Sequence, residues 1–220
     1  RATAEGLARR GWSVIAAGLE RDDALPDEVS FAECDITDAT ARAALFASVP
    51  VLHGLVNCAG VIRFDDEWTE EGFRKVMDIN VGGSFAAANA ALPALERGGG
   101  AVVNIASMWS WFGNAAAPAY SASKGAVSSM TRSLTVAWGG RGVRVNAVCP
   151  NEVNTPMLRS GFAIRGLDPD KAIETLNATV PLGRIADPDD IVDVITFLAS
   201  DAARYVCGAL IEVNGGKPVS

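Results

Sequence analysis

Apolar residues along this chain fall into two patterns that take turns. Six short runs are apolar almost throughout and rich in β-branched residues: WSVIAA (12–17), VSFAEC (29–34), LHGLVNCAG (52–60), AVVNIAS (101–107), VRVNAV (143–148) and ALIEV (209–213). Runs of this kind, without polar alternation, predict parallel strands buried on both faces. Longer stretches with helical spacing separate most of them. That alternation predicts an α/β fold, a doubly wound parallel sheet with helices on both faces. No repeat, low-complexity tract or linker divides residues 1–220, which read as a single domain. Residues 149–180 lack strand character and are rich in Pro, Gly and Asn, so they predict a loop over a binding site, with a lid at about 156–180.

Two helical stretches carry further detail. RATAEGLARRG (1–11) has the composition of a helix body and ends on Gly11 as a stop signal, but no N-cap precedes it. A helix that opens on the first residue of an α/β pattern normally follows a strand, so the first strand and its turn are expected to be missing from the sequence. FRKVMDINVGGSF (73–85) predicts a helix with an apolar stripe at Phe73, Met77, Val81 and Phe85. Asn80 lies beside that stripe and is expected to be buried and in need of partners.

Composition narrows the function. The chain is 49% hydrophobic and 20% charged, with a net charge of -7. An acidic balance argues against nucleic acid or an anionic membrane surface as a main partner. Cys34, Cys58, Cys149 and Cys207 are scattered without a CxxC, and His53 is the single histidine, so neither a metal site nor a disulfide framework is expected. Free thiols suit a reducing compartment. With no membrane-length apolar stretch and no signal-peptide pattern, the reading is cytoplasmic.

Candidate chemistry concentrates in APAYSASKGAV (117–127). Pro118 suits a first helical turn, so a helix is predicted from about Ala119. Tyr120 and Lys124, four residues apart, then share a face. A lysine near the positive end of a helix dipole is locally unfavourable, and a tyrosine that must ionise would offset that cost. A charge ~4 Å away is worth roughly 4 kcal/mol at an effective dielectric of 20, enough to lower a phenol by up to ~3 pKa units. Such a phenol is a good general acid or base. A surface lysine beside a half-buried tyrosine is the plain alternative. Ser107 ends a strand run, at the sheet end where ligands bind in open α/β folds, and a turn serine is its alternative.

Taken together these residues carry a resemblance to the short-chain dehydrogenase/reductase family, of the single-domain Rossmann type, over nearly the whole chain. YSASK (120–124) matches the family's Tyr-x-x-x-Lys, and Ser107 falls at its serine spacing. NVGG (80–83) matches its Asn-Val-x-Gly segment, NCAG (57–60) its Asn-Asn-Ala-Gly motif, CDITD (34–38) its adenine-contacting segment, and PNEVNTPM (150–157) its nicotinamide segment. The resemblance implies an NAD(P)-dependent oxidoreductase that interconverts a secondary alcohol and a ketone. Tyr120 would be the general acid or base. Lys124 would lower its pKa and hold the nicotinamide ribose, Ser107 would polarise the substrate carbonyl, and Asn80 would hold a water that relays protons. Cofactor contacts would come from Asp35, Ile36, Asn57, Ala59, Gly60, Tyr120, Lys124, Pro150, Val153 and Thr155. The chain departs from the pattern in three places. The family's glycine-rich Thr-Gly-x-x-x-Gly-x-Gly turn is absent, Cys58 replaces an Asn, and Asn151 replaces a Gly.

At the end of the second strand the cofactor signal is mixed. Gly18 and Leu19 carry no charge, Glu20 could reach a ribose, and Arg21 could reach a phosphate; with no basic residue at 18–20, NAD is favoured over NADP. Trp109, Trp111 and Phe112 are expected to wall a substrate pocket or to pack on a neighbouring subunit. Arg159 and Arg165 in the lid could meet an anionic group or simply be solvated. The substrate is a small molecule, with polyols or sugars competing with 3-oxoacyl thioesters. The family's habit implies a homotetramer or homodimer, through residues 68–96 and 119–138. The competing function is a non-catalytic cofactor-binding or regulatory protein on the same fold.

Overall fold

Each apolar run becomes a strand in the computed structural model, which describes residues 1–64 and 66–217. The strands are β1 (Ile15–Gly18), β2 (Ser30–Glu33), β3 (Gly54–Asn57), β4 (Ala101–Ile105), β5 (Arg144–Pro150) and β6 (Leu210–Val213). All pair in parallel, β1 with β2, and β3 to β6 in the order β3-β4-β5-β6. The two pieces share no hydrogen-bond ladder among the described residues. Side chains bridge them: Trp12, ahead of β1, lies against Gly54 at the start of β3.

Burial on both faces holds for the middle of the larger piece only. Val102, Val103, Val145 and Val148 on β4 and β5 are fully covered, whereas Ile15 on β1 is 46% exposed. A two-stranded piece has open edges and too little covering structure to bury every side chain, so the expectation of uniform burial fails for β1 and β2.

The helices are α1 (Ala2–Arg9), α2 (Ala39–Ala47), α3 (Glu70–Met77), α4 (Ser84–Gly98), α5 (Pro118–Trp138), α6 (Pro156–Ile164), α7 (Pro169–Asn177) and α8 (Pro188–Ala199). On one face, Ala88, Ala91, Leu92 and Leu95 of α4 and Leu134 and Trp138 of α5 pack on Val102 and Val145. On the other, Ile191, Ile195 and Leu198 of α8 pack on Val103 and Val148. Helices therefore cover both faces, as the alternation predicts. Burying a side chain such as Leu95 stabilises the fold by about 1.5–3 kcal/mol. No helix of the described residues is long and apolar enough to cross a membrane.

Helices α3 and α4 are joined without a loop by a wider π-turn at Asp78–Gly83. The extra residue rotates the buried face. Val76, Asn80, Ser84, Ala87, Ala88, Ala91 and Leu95 point inward, while Phe73 and Phe85, expected on the apolar stripe, are more than two-fifths exposed. π-Turns inside helices concentrate at functional sites, and this one holds Asn80.

Candidate active site

The carboxyl ends of β3, β4 and β5 converge with the amino end of α5. Asn57 closes β3, Ser107 stands two residues past β4, and Pro150 closes β5. Pro118 opens α5 at a position whose missing N–H costs nothing, which places Tyr120 in the first turn.

Three of the expected groups meet directly. Ser107 stands beside the Tyr120 phenol, where its hydroxyl favours the ionised form. Ser107 Oγ also accepts from the Trp109 N–H at 3.2 Å. Lys124 is only 5% exposed. Its Nζ lies 5.4 Å from the centre of the Tyr120 ring and donates to the Ile105 carbonyl at 2.7 Å. Asn80 joins through the backbone. It is 1% exposed, its Oδ1 accepts from the Val61 N–H at 2.8 Å, and its Nδ2 donates to the Val61 carbonyl and to Ser123 Oγ, both at 3.0 Å. Ser123 Oγ in turn donates to the Tyr120 carbonyl at 2.7 Å. Gly60 completes the cluster, since a Cβ there would stand 3.2 Å from Asn80 Oδ1 and 3.7 Å from Lys124 Nζ.

The electrostatics differ from the expectation of a phenol near neutrality. Burial pushes Tyr120 up to about 12, with the Ser107 hydroxyl opposing and the Glu67 charge adding to the rise. Burial pushes Lys124 down to about 8. Both groups sit where charge is poorly solvated. The ammonium is aimed at the Ile105 carbonyl, so it does not rescue the phenolate.

The expected cofactor contacts divide. Asn57 is spent on the scaffold, where its Nδ2 donates to the Ser84 carbonyl at 3.3 Å and to Asn104 Oδ1 at 2.9 Å. Asn104 then donates to Thr131 Oγ1 at 2.9 Å. Asp35 is exposed and accepts from the Thr37 N–H and hydroxyl. Ile36 packs so closely on the π-turn that a Cβ on Gly83 would meet it at 2.5 Å. Ala59 is exposed at the end of β3, and Pro150 is buried at the end of β5. Val153 pairs with Ala186. Thr155 caps α6, its Oγ1 accepting from the Leu158 N–H at 3.3 Å. Beside this segment, Asn151 Nδ2 is a buried donor without a partner among the described residues. A buried donor left unpaired costs about 1–3 kcal/mol, which a polar ligand would relieve. At the end of β1, Glu20 is exposed, while Arg21 folds back to donate to the Leu25 carbonyl at 3.3 Å.

The arginines of the segment expected to form a lid are engaged. Arg159 donates to Asn154 and Asp170, and Arg165 lies over the Phe64 and Phe162 rings. Trp111 is 42% exposed just beyond Ser107. A separate cavity opens near the amino ends of the strands, lined by Trp12, His53, Arg144, Ser200 and Cys207, and includes none of the residues above.

Two residues escape sequence reasoning. Glu67 sits in the polar run RFDDEW, which looks solvated, yet it is 2% exposed. Phe64, one of two aromatics in the same run, packs against α6: a Cβ on Gly161 would meet its ring at 2.6 Å.

Comparison with known proteins fits this picture. A family model described as enoyl-(acyl carrier protein) reductase matches residues 1–217. Galactitol 2-dehydrogenase (L-tagatose-forming) of Cereibacter sphaeroides is 42% identical over 193 residues, covering 84% of this chain and 74% of that protein. A protein of Xanthobacter autotrophicus named inactive 2-(S)-hydroxypropyl-CoM dehydrogenase 2 is 40% identical over 190 residues, covering 83% and 82%. The ligand-free structure of Thermoplasma acidophilum aldohexose dehydrogenase superposes with a TM-score of 0.93 at 28% identity, covering 100% of this chain and 89% of that one.

Proposed function

The chain belongs to the short-chain dehydrogenase/reductase family and is an oxidoreductase of alcohol and ketone groups; on that premise we propose that it interconverts a secondary alcohol and a ketone with Tyr120 as general acid and base. The observation that carries the reading is the meeting of Tyr120 with the buried Ser107 and Lys124 at the carboxyl ends of the strands, with the Lys124 ammonium 5.4 Å from the centre of the Tyr120 ring.

The geometry supports the following roles. Ser107 donates to the substrate oxygen and holds it beside the phenol. In reduction the Tyr120 hydroxyl gives its proton to that oxygen, and burial keeps the proton in place until it is needed. The Lys124 charge stabilises the phenolate that this leaves, once the ammonium is drawn from the Ile105 carbonyl, and in oxidation that phenolate takes the alcohol's proton back. Asn80 holds Val61 and Ser123 in register, and its Oδ1 keeps a lone pair for a water towards Gly60 and Lys124.

A bound nicotinamide cofactor supplies or accepts the hydride. The residues present fit it. Asn151 Nδ2 offers an unsatisfied donor beside Pro150, Val153 and Thr155, and Gly60 leaves the approach to Lys124 open. Asp35, Ile36 and Ala59 would hold the rest of the cofactor, as the family resemblance implies. The free Glu20 and the engaged Arg21 favour NAD over NADP. We read residues 1–220 as one domain with α6 and α7 as its lid, closed against Phe64. The resemblance to galactitol and aldohexose dehydrogenases favours a polyol or sugar over a 3-oxoacyl thioester, and Arg159 is already paired with Asp170. Exposed Phe85 and Val136 on α4 and α5 suit a homo-oligomer.

The inactive relative keeps alive a second reading, a non-catalytic cofactor-binding protein. Fluorescence titration with NADH and NADPH, followed by galactitol oxidation, tests the first. Tyr120→Phe, which leaves the ring and deletes the proton, should lower kcat by roughly 10²–10⁴-fold while NADH still binds. Equal turnover by the variant would remove Tyr120 from the reaction.

A further inference from the structure

Helix α5 begins without a cap of its own. Ala117 offers no side-chain acceptor, and Pro118 has no N–H. Among the first N–H groups, which have no partner within a helix, that of Tyr120 finds one 53 residues away, donating to Glu67 Oε2 at 2.9 Å. The other carboxylate oxygen, Oε1, accepts from the Arg63 N–H at 2.8 Å.

We propose that Glu67 is a positioning residue for the reaction: an acid from the loop after β3 that caps α5 across the site and sets where the Tyr120 phenol stands.

Four observations carry this. Both oxygens of Glu67 are held by backbone N–H groups, and at 2% exposure water cannot take over either bond. Its loop is anchored at both ends, by Asn80 gripping the Val61 N–H and carbonyl and by Thr69 capping α3. The Asp66 backbone is pressed on α3, since a Cβ on Gly72 would meet its carbonyl oxygen at 2.2 Å. An anion at the amino end of a helix is favoured by the dipole. Among the described residues, the charged and polar groups around the phenol are Lys124 from its own helix, Ser107 from the end of β4 and Glu67 from this loop. Beside Glu67, Arg63 and Asp66 pair with each other. Loss of this cap frees the first turn of α5, and a displacement of about 1 Å in such a group costs on the order of 10²-fold in rate.

The inference rests on Tyr120 exchanging the proton, and the test separates the two ideas. Glu67→Gln keeps the size but turns an NH2 towards one of the two N–H groups and removes the charge. Glu67→Asp keeps the charge but shortens the reach. Hydrogen exchange of peptide 117–124 should be about tenfold faster in both variants. With galactitol, kcat should fall roughly ten- to hundredfold while the NAD KM moves less than twofold. NMR of isotope-labelled tyrosine provides a readout that needs no substrate. The chain has two tyrosines, and the fully exposed Tyr205 serves as an internal reference. In Glu67→Gln the Tyr120 resonance should ionise at lower pH than in the unsubstituted protein, and in Glu67→Asp it should stay near its original position. Unchanged exchange and unchanged titration in folded variants overturn the proposal, as does a loss of kcat that merely tracks the loss of folded protein. If Tyr120→Phe retains turnover, the acid–base reading fails instead; if Tyr120→Phe is dead while both Glu67 variants behave normally, only the cap fails.

Discussion

Replacing Lys124 with methionine should change how stability depends on pH, in a direction the structure dictates. Burial lowers the folded pKa of Lys124 from 10.5 to about 8. Below pH 8 both folded and unfolded chains carry the proton, and the folded state bears the whole cost of the buried charge. Between 8 and 10.5 the native lysine has released its proton and the unfolded one has not, so the unfolded state binds more protons and stability rises with pH. One pKa unit is worth about 1.4 kcal/mol, so most of the gain, roughly 2 kcal/mol, accrues between pH 7 and 9.5. Tyr120 and Cys149, both pushed up to about 12, titrate the opposite way. They are present in both proteins and largely cancel in the difference. Lys124→Met keeps the length of the stem and removes the charge and its bond to the Ile105 carbonyl. Urea unfolding at pH 7, 8, 9 and 9.5, followed by far-UV circular dichroism, should therefore show the unsubstituted chain gaining on the variant by roughly 2 kcal/mol. A difference that stays flat within about 0.5 kcal/mol, or that moves the other way, refutes the view that Lys124 is a buried ammonium held against its desolvation cost.

Two further substitutions probe the frame around the site. Asn80→Ala deletes three hydrogen bonds in a buried π-turn; at about 1 kcal/mol each it should lower Tm by roughly 6–12 °C, and a drop under about 2 °C would show the amide is dispensable to the scaffold. Gly72→Ala should destabilise although alanine is the better helix former, because the new Cβ meets the Asp66 carbonyl at 2.2 Å; overpacking of about 1–3 kcal/mol outweighs a propensity gain of about 1 kcal/mol. Its thermal melt should fall and exchange over 117–124 should quicken; a variant as stable as the parent would mean the loop yields freely.

How much of this was legible in the residues depends on what each signal measures. Strands β4 and β5 were readable because Val102, Val103, Val145 and Val148 are buried from both sides, and continuous β-branched runs report that condition directly. The Tyr120–Lys124 pairing was readable because four-residue spacing puts side chains on one face whatever surrounds the helix. The stripe through Phe73 and Phe85 misled, because a π-turn adds a residue that 3.6-residue counting does not anticipate. The true buried face includes Asn80 and Ser84, which no hydropathy count selects. The tyrosine was expected to be acidified and is instead made less acidic, since spacing gives the neighbour but not where its ammonium points or how little water remains. Glu67 was invisible for the same reason: an acid in a polar run becomes buried only because a helix over fifty residues later needs a partner for its first N–H groups.

The amide row across the sheet has a consequence for how the chain avoids folding wrongly. Asn57 faces Asn104 in the β3–β4 register, and Asn104 reaches Thr131 on α5. Valines on either side of these residues are interchangeable in shape, so a hydrophobic core alone would tolerate β3 sliding along β4. A slide of one residue would turn each amide to the opposite face and strand it without a partner. The row works as a checksum: it adds little to the depth of the native minimum, but it raises the energy of near-miss alignments, and so it keeps the ends of β3 and β4, on which Ser107 and Gly60 stand, level with one another.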